Sequence, residues 1–106
     1  MNINPGELNK KIKIILFEES DDDFGEKKEV TIREPRAKVN RIKVTEVMKS
    51  DREMELTRCR FLVRYTPVAI TNKMFVVYQG IYYQIEYTNN YNDSNEYIEI
   101  MAKAGT

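Results

Sequence analysis

A chain of 106 residues in which 17 Lys and Arg balance 17 Asp and Glu has the length of one domain, and it lacks the positive excess of a strongly basic nucleic-acid binder. Its 42% hydrophobic and 32% charged residues set it apart from disordered chains, and no apolar run is long enough to span a bilayer as a helix. With no histidine the usual general base near neutral pH and the commonest metal ligand are missing, and the single Cys59 cannot close an internal disulfide, which suits a reducing compartment.

The N-terminus has no basic stretch followed by an apolar one, so no secretory leader is expected. Pro5-Gly6 predicts an opening turn or single helical turn over residues 4–9, since proline fixes φ and glycine permits unusual backbone angles. Residues 11–18 predict a first strand, with Ile12, Ile14 and Leu16 on one face and Ile15 and Phe17 on the other. Asp21-Asp22-Asp23-Phe24-Gly25 predicts a polar hairpin loop, because adjacent carboxylates repel and need water. As a calcium loop it fails, since the residue twelve places along is Ile32 where a bidentate glutamate is required. A short return strand at 30–32 is interrupted by Pro35, and residues 36–43 predict another strand with Ala37 and Val39 inward.

At residues 44–55 the period changes. Val44, Val47 and Met48 stand at helical spacing, and Ser50-Asp51-Arg52-Glu53 has the form of a capping box. A short helix or loop is expected here, an insertion between strands of the kind that carries function. Residues 56–65 predict a clear strand: Thr57, Cys59, Phe61, Val63 and Tyr65 point one way, and Arg58, Arg60, Leu62 and Arg64 the other. Residues 66–73 bridge to a hairpin centred on Gln79-Gly80, whose flanks are rich in β-branched and aromatic residues. Beyond it Ile81, Tyr83, Ile85 and Tyr87 alternate with Tyr82, Gln84, Glu86 and Thr88. Residues 88–95, rich in Asn, predict a loop. Residues 96–102 predict the last strand, with Ile98, Ile100 and Ala102 on one face and Tyr97, Glu99 and Met101 on the other, before a free tail at 103–106. Six to seven short strands with one short helical or loop insertion make a single all-β domain over residues 1–106, a small antiparallel β-barrel or sandwich.

No Walker, Rossmann, paired-cysteine or serine-elbow sequence occurs, and no catalytic constellation, metal site or cofactor site is expected. Arg58, Arg60 and Arg64 share a strand face with Arg36, Lys38 and Arg41 nearby in sequence. They form either a local basic surface for phosphates or a solvated face paired with Glu46, Glu53 and Glu55. The tyrosines are interleaved with Ile, Val, Gln and Glu rather than with Lys or Arg, which favours core and protein–protein packing over base stacking. Several strands are apolar on both faces, through Ile15, Phe17, Tyr82, Tyr97 and Met101 among others. Either a few apolar residues are exposed, or neighbouring subunits cover the second face.

Several short motifs recur in one order. They are Asn4-Pro5-Gly6-Glu7-Leu8-Asn9-Lys10-Lys11-Ile12, Asp22-Asp23-Phe24-Gly25, Ala37-Lys38-Val39 with Glu46 beyond it, Phe61-Leu62-Val63-Arg64-Tyr65, Tyr78-Gln79-Gly80-Ile81-Tyr82-Tyr83-Gln84-Ile85 and Tyr97-Ile98-Glu99-Ile100. Together they resemble the phage head–tail adaptor family, also called head–tail joining or head-completion proteins. The sequence departs from that family in lacking a tryptophan after the first hairpin, and in having Met74-Phe75 where an arginine is common. The resemblance implies a non-enzymatic β-barrel that assembles as a homo-oligomeric ring beneath the portal of a tailed phage or prophage. It extends the DNA channel, helps retain DNA and docks the tail. Implied partners are the portal or adaptor ring and tail-completion proteins, with passing contact to double-stranded DNA and none to membrane. The implied location is the virion's head–tail interface, with assembly in the host bacterial cytoplasm; a monomer before assembly is compatible with all of this. By position the channel loop would be Val44, Thr45, Glu46, Val47, Met48, Lys49, Ser50, Asp51, Arg52, Glu53, Met54 and Glu55. Candidate DNA-facing residues are Lys49, Arg58, Arg60 and Arg64, and candidate interface residues are Ile15, Phe17, Tyr82, Tyr97 and Met101. The alternative is a small nucleic-acid-binding β-barrel. A small enzyme has least support, since its one candidate nucleophile, Cys59, falls on an inward face where thiols are usually inert.

Overall fold

The structure, a computed structural model, describes residues 5–19, 27–47, 53–91 and 95–105. A 3-10 turn at Pro5–Glu7 precedes eight strands: β1 (Lys10–Lys11), β2 (Lys13–Glu19), β3 (Lys27–Arg33), β4 (Arg36–Val47), β5 (Glu53–Arg64), β6 (Met74–Tyr78), β7 (Ile81–Asn90) and β8 (Tyr97–Gly105). They form one antiparallel sheet in the order β1-β4-β5-β8-β7-β6-β2-β3, curled into a half-barrel. The opening turn and the all-β architecture agree with the sequence reading.

The first two strand pairs are one interrupted ladder. Lys10 faces Ala37, Lys11 faces Arg36 and Ile14 faces Arg33 in a single register. At the interruption the Ile12 N–H donates to the Pro35 carbonyl at 3.2 Å. Proline lacks the N–H that a ladder needs, so the pairing bends there without ending. The bend lets one stretch of chain pair with β4 at its start and with β6 further along.

The concave face carries the core. Ile14, Cys59, Phe61, Val63, Val76, Tyr83, Ile85 and Ile100 are fully or almost fully buried there, with Phe61 edge-on to both Tyr78 and Tyr83. Their positions follow the period-two alternation of each strand. The β6–β7 connection uses positive φ at Gln79 (51°) and Gly80 (77°), the signature of the type I′ turn that suits the twist of a two-residue hairpin.

Four expectations are corrected. Residues 44–47 and 53–55 are strand, paired through Thr45↔Glu55, Glu46↔Met54 and Val47↔Glu53. The helical spacing of Val44 and Val47 yields to cross-strand pairing, which β-branched side chains favour, and Glu53 opens a strand where a capping box would place it in a helix. Residues 48–52 lie outside the described residues. Second, β7 runs to Asn90, through part of the expected loop. Third, the expected free tail is strand, with Lys103 and Gly105 paired to Arg58 and Leu56. Fourth, a register shift between Ile85 and Tyr87 inserts Glu86 as a bulge residue and turns Tyr87 to the convex face, half exposed, opposite Met101. One extra residue reverses every side chain beyond it. The expected loop at residues 21–25 also lies outside the described residues.

A Cβ on Gly80 would meet nothing within 4 Å, so Gly80→Ala carries a backbone cost alone. It should lower unfolding free energy by about 1–2 kcal/mol, read as an earlier urea midpoint with unchanged slope; no shift would mean that the turn relaxes.

Candidate assembly interface

The convex face of β2, β6 and β7 carries an aromatic patch. The register places Ile15 beside Phe75 and Val77 beside Tyr82 on this face, opposite in phase to the core residues Ile14 and Val76. Phe17 meets Phe75 edge-on at 5.4 Å and stacks on Tyr82 at 6.2 Å. Phe17 is 36% exposed and Tyr82 46%. The Tyr82 hydroxyl donates to Glu29 Oε2 at 2.9 Å, and Lys13 Nζ lies 3.8 Å from Glu29 Oε1. That hydrogen bond to the carboxylate raises the Tyr82 pKa above its ordinary value. The patch is therefore apolar at its centre and polar on one rim, the anatomy of a protein-binding surface. Of the predicted interface residues, Phe17 and Tyr82 come together here. Ile15 lies on the same face but is fully buried within the chain, so it supports the patch and offers a partner no surface. Tyr97 and Met101 are half-buried on β8, opposite Arg64 and Arg60, and make none of the ring contacts of the patch among the described residues.

β4 and β5 pair along their length, as the basic-surface reading requires, but much of the charge is already matched. Arg58 Nε donates to Glu86 Oε1 at 3.1 Å, and Arg60 Nε donates to Glu99 Oε2 at 2.6 Å. Lys38 Nζ bonds Glu7 Oε2 at 3.1 Å and holds the 3-10 turn to the sheet. Arg41 falls on the opposite face from Lys38, where its guanidinium lies over the Tyr78 ring and donates to Gln79. These partners of Arg58 and Arg60 come from β7 and β8 and are distant in sequence; the side chains of Glu46, Glu53 and Glu55, the expected partners, lie outside the described residues. Sequence reasoning passed over Glu86 and Glu99. The signal for Glu99 was present in its phase, opposite to Ile98 and Ile100, but Glu86 owes its place to the bulge.

β5 pairs with β8 only from Leu56 onward. The last residues of β4 and the first of β5 thus extend as a two-stranded arm beyond the sheet. Three paired positions at about 3.4 Å per residue carry this arm roughly 10 Å before residues 48–52 begin.

Inside the half-barrel, the Tyr83 hydroxyl is buried with no hydrogen-bond partner. It lies close enough to Cys59 and Arg41 for each to influence it, and burial, reinforced by Cys59, raises its pKa from 10.0. Among the described residues no group of three or more Cys, Asp or Glu side chains could hold a metal ion.

The geometry defines a small all-β module whose exposed features are surfaces and an arm. The sequence profile of the phage head completion proteins matches residues 3–105, and the chain belongs to that family of phage structural proteins. The fold is similar to a chain in the virion of a native gene transfer agent particle, with a TM-score of 0.69 at 12% identity over 92% of this chain and 94% of that one. No curated protein matches the sequence.

Tyr83→Phe deletes the unpaired buried hydroxyl and should raise stability at neutral pH by about 1 kcal/mol. Because the folded-state pKa of Tyr83 is raised, its contribution is intact below pH 10.0 and lost as pH climbs through the folded value. Melting temperatures of wild type and Tyr83→Phe at pH 7 and about pH 11 should therefore diverge further at the higher pH; a constant gap would refute the burial of this group.

Proposed function

We propose that this head completion protein is a head–tail connector: a ring of copies beneath the portal that extends the DNA channel, retains packaged DNA and docks the tail. The observation that carries this is the stacked Phe17–Tyr82 pair. The chain completes a core on its concave face and still exposes an aromatic cluster on the convex one, which a neighbouring subunit or portal surface would cover. Family membership supports the setting in the virion.

The β4–β5 arm is the part that reaches a channel. It begins beyond the last β8 pairing and contains Lys49 by sequence position. Arg58 and Arg60 are matched by Glu86 and Glu99, and Arg64 stands at the far end of β5 from the arm. Passing contact with DNA is thus assigned to the arm rather than to the arginine face. The same pairings count against a nucleic-acid-binding barrel, which would need an unmatched basic surface. The role is structural, with no cofactor.

Purified protein should co-sediment stoichiometrically with portal rings and bind duplex DNA weakly. Phe17→Ala and Tyr82→Ala should each weaken portal association or ring formation by about tenfold, the scale of a central aromatic anchor, while the chain stays folded. Tight, salt-sensitive DNA binding without portal association would instead establish the nucleic-acid reading. Replacing residues 44–55 with a short turn should leave the sheet folded and alter DNA retention or tail joining in assembled particles. Unchanged retention and joining would remove the arm from the mechanism.

A further inference from the structure

A hollow of about 350 Å³ lies where the Pro35 bend meets the end of β5, lined by Leu8, Arg33, Pro35, Arg36 and Arg64. Three arginines line one small space. Among the described residues, none of the three is in an ion pair with a carboxylate. Arg33 Nη1 is buried and has no hydrogen-bond partner. Glu34, on the same bend, lines a neighbouring hollow with Lys11, Lys13 and Arg36, and is in no ion pair with Arg36 among the described residues. Like charges gathered in a concavity repel one another, and a buried cationic donor without an acceptor is a cost that structures seldom leave uncompensated.

We propose that this hollow is an anion-recognition pocket that takes a carboxylate from an acidic peptide segment of a partner protein. A planar guanidinium fork matches the two oxygens of a carboxylate, and a second arginine beside it adds charge-assisted hydrogen bonds. Leu8 and Pro35 give the hollow apolar walls, which suit the aliphatic stem of a glutamate or an adjoining apolar side chain. A DNA backbone presents phosphates along a rod and calls for an extended basic stripe. Here the cup does not continue as a basic stripe across the β4–β5 face, because Lys38 is matched by Glu7 and Arg60 by Glu99. The 3-10 turn that carries Leu8 is fixed by the Lys38–Glu7 bond, so the apolar wall is in place before a ligand arrives. The assembly reading supplies the partner protein, but the binding step needs no ring and is measurable on the free chain.

The test is binding of a labelled hexaglutamate peptide to the full chain by fluorescence anisotropy, with hexaglutamine as control and with inorganic phosphate and a short DNA duplex as competitors. Hexaglutamate should bind and hexaglutamine should not. Arg33→Gln and Arg64→Gln should each weaken binding at least tenfold, whereas Lys28→Gln, on β3 away from the hollow, should leave it unchanged. Arg64 is exposed, so its variant remains informative if Arg33→Gln folds poorly. Equal losses in Lys28→Gln, or no binding of hexaglutamate, would overturn the pocket. Displacement by phosphate or duplex at concentrations below those needed for unlabelled hexaglutamate would overturn the choice of a carboxylate. Portal association fails or succeeds independently of these outcomes, so the pocket and the connector reading are separable.

Discussion

The bond from the Ile12 N–H to the Pro35 carbonyl holds together the two halves of the first ladder. Without it, β1 with β4 and β2 with β3 would be separate hairpins at opposite ends of the strand order. With it the register of β1 against β4 continues as far as Ile14↔Arg33, beyond which β2 and β3 shift by one residue. The bend turns the sheet on itself and gives Phe61, Tyr83, Ile85 and Ile100 a common concave side. A proline that removes one ladder donor is thus compatible with the strand because the pairing resumes on both sides of it.

A sheet curled this way has one face that closes and one that does not. The concave side takes one residue in two from each strand and leaves the others facing out. On β5 those outward residues include Arg58 and Arg60, which find acids on β7 and β8. On β2 and β7 they include Phe17 and Tyr82, whose rings stack while Phe17 also meets Phe75 and the Tyr82 hydroxyl reaches Glu29 at the rim. The two convex regions therefore differ in kind. Desolvating the charged region would break matched ion pairs and cost free energy, whereas covering the aromatic region gains it. This contrast, more than the number of apolar residues on the surface, singles out the β2–β6–β7 side for contact with another molecule.

Much of this was legible in the sequence because period two is a direct image of the pleat. The inward set on β5 and the Gln79-Gly80 turn follow from residue type and spacing. The pairing of the 36–43 and 56–65 strands is left open by the sequence, which predicts a helix or loop between them, and the register of β4 against β5 supplies it. The errors arose where local signals and pairing disagree. Residues 44–48 carry a helical spacing, yet Val44, Thr45 and Val47 are β-branched and have strand partners within reach. The bulge at Glu86 has no mark in the sequence, since Ile85-Glu86-Tyr87-Thr88 continues a perfect alternation; only the register against β8 reveals it. That single residue sends Tyr87 outward and aims Glu86 at Arg58. Ile15 shows the converse limit. Its outward phase was correct, but its burial depends on the ring packing of Phe17 and Phe75 about it.

The zero net charge conceals an uneven distribution. Arg58, Arg60 and Lys38 are matched by Glu86, Glu99 and Glu7, each distant in sequence, so the fold itself neutralises the middle of the β4–β5 face. Arg33, Arg36 and Arg64 line one hollow where the Pro35 bend meets the end of β5, and Arg36 also lines the neighbouring hollow that holds Glu34. A surface acid within reach of these three could have relieved their mutual repulsion. None of the three is ion-paired among the described residues, which gathers positive charge at this cup. A localised charge of this kind contributes orientation and partner choice more than affinity. The aromatic patch contributes the complementary property, area without strong direction. A subunit that must meet a particular neighbour in a particular pose has use for both, and here the patch on β2, β6 and β7 and the cup lined from β3, β4 and β5 are joined through the first ladder.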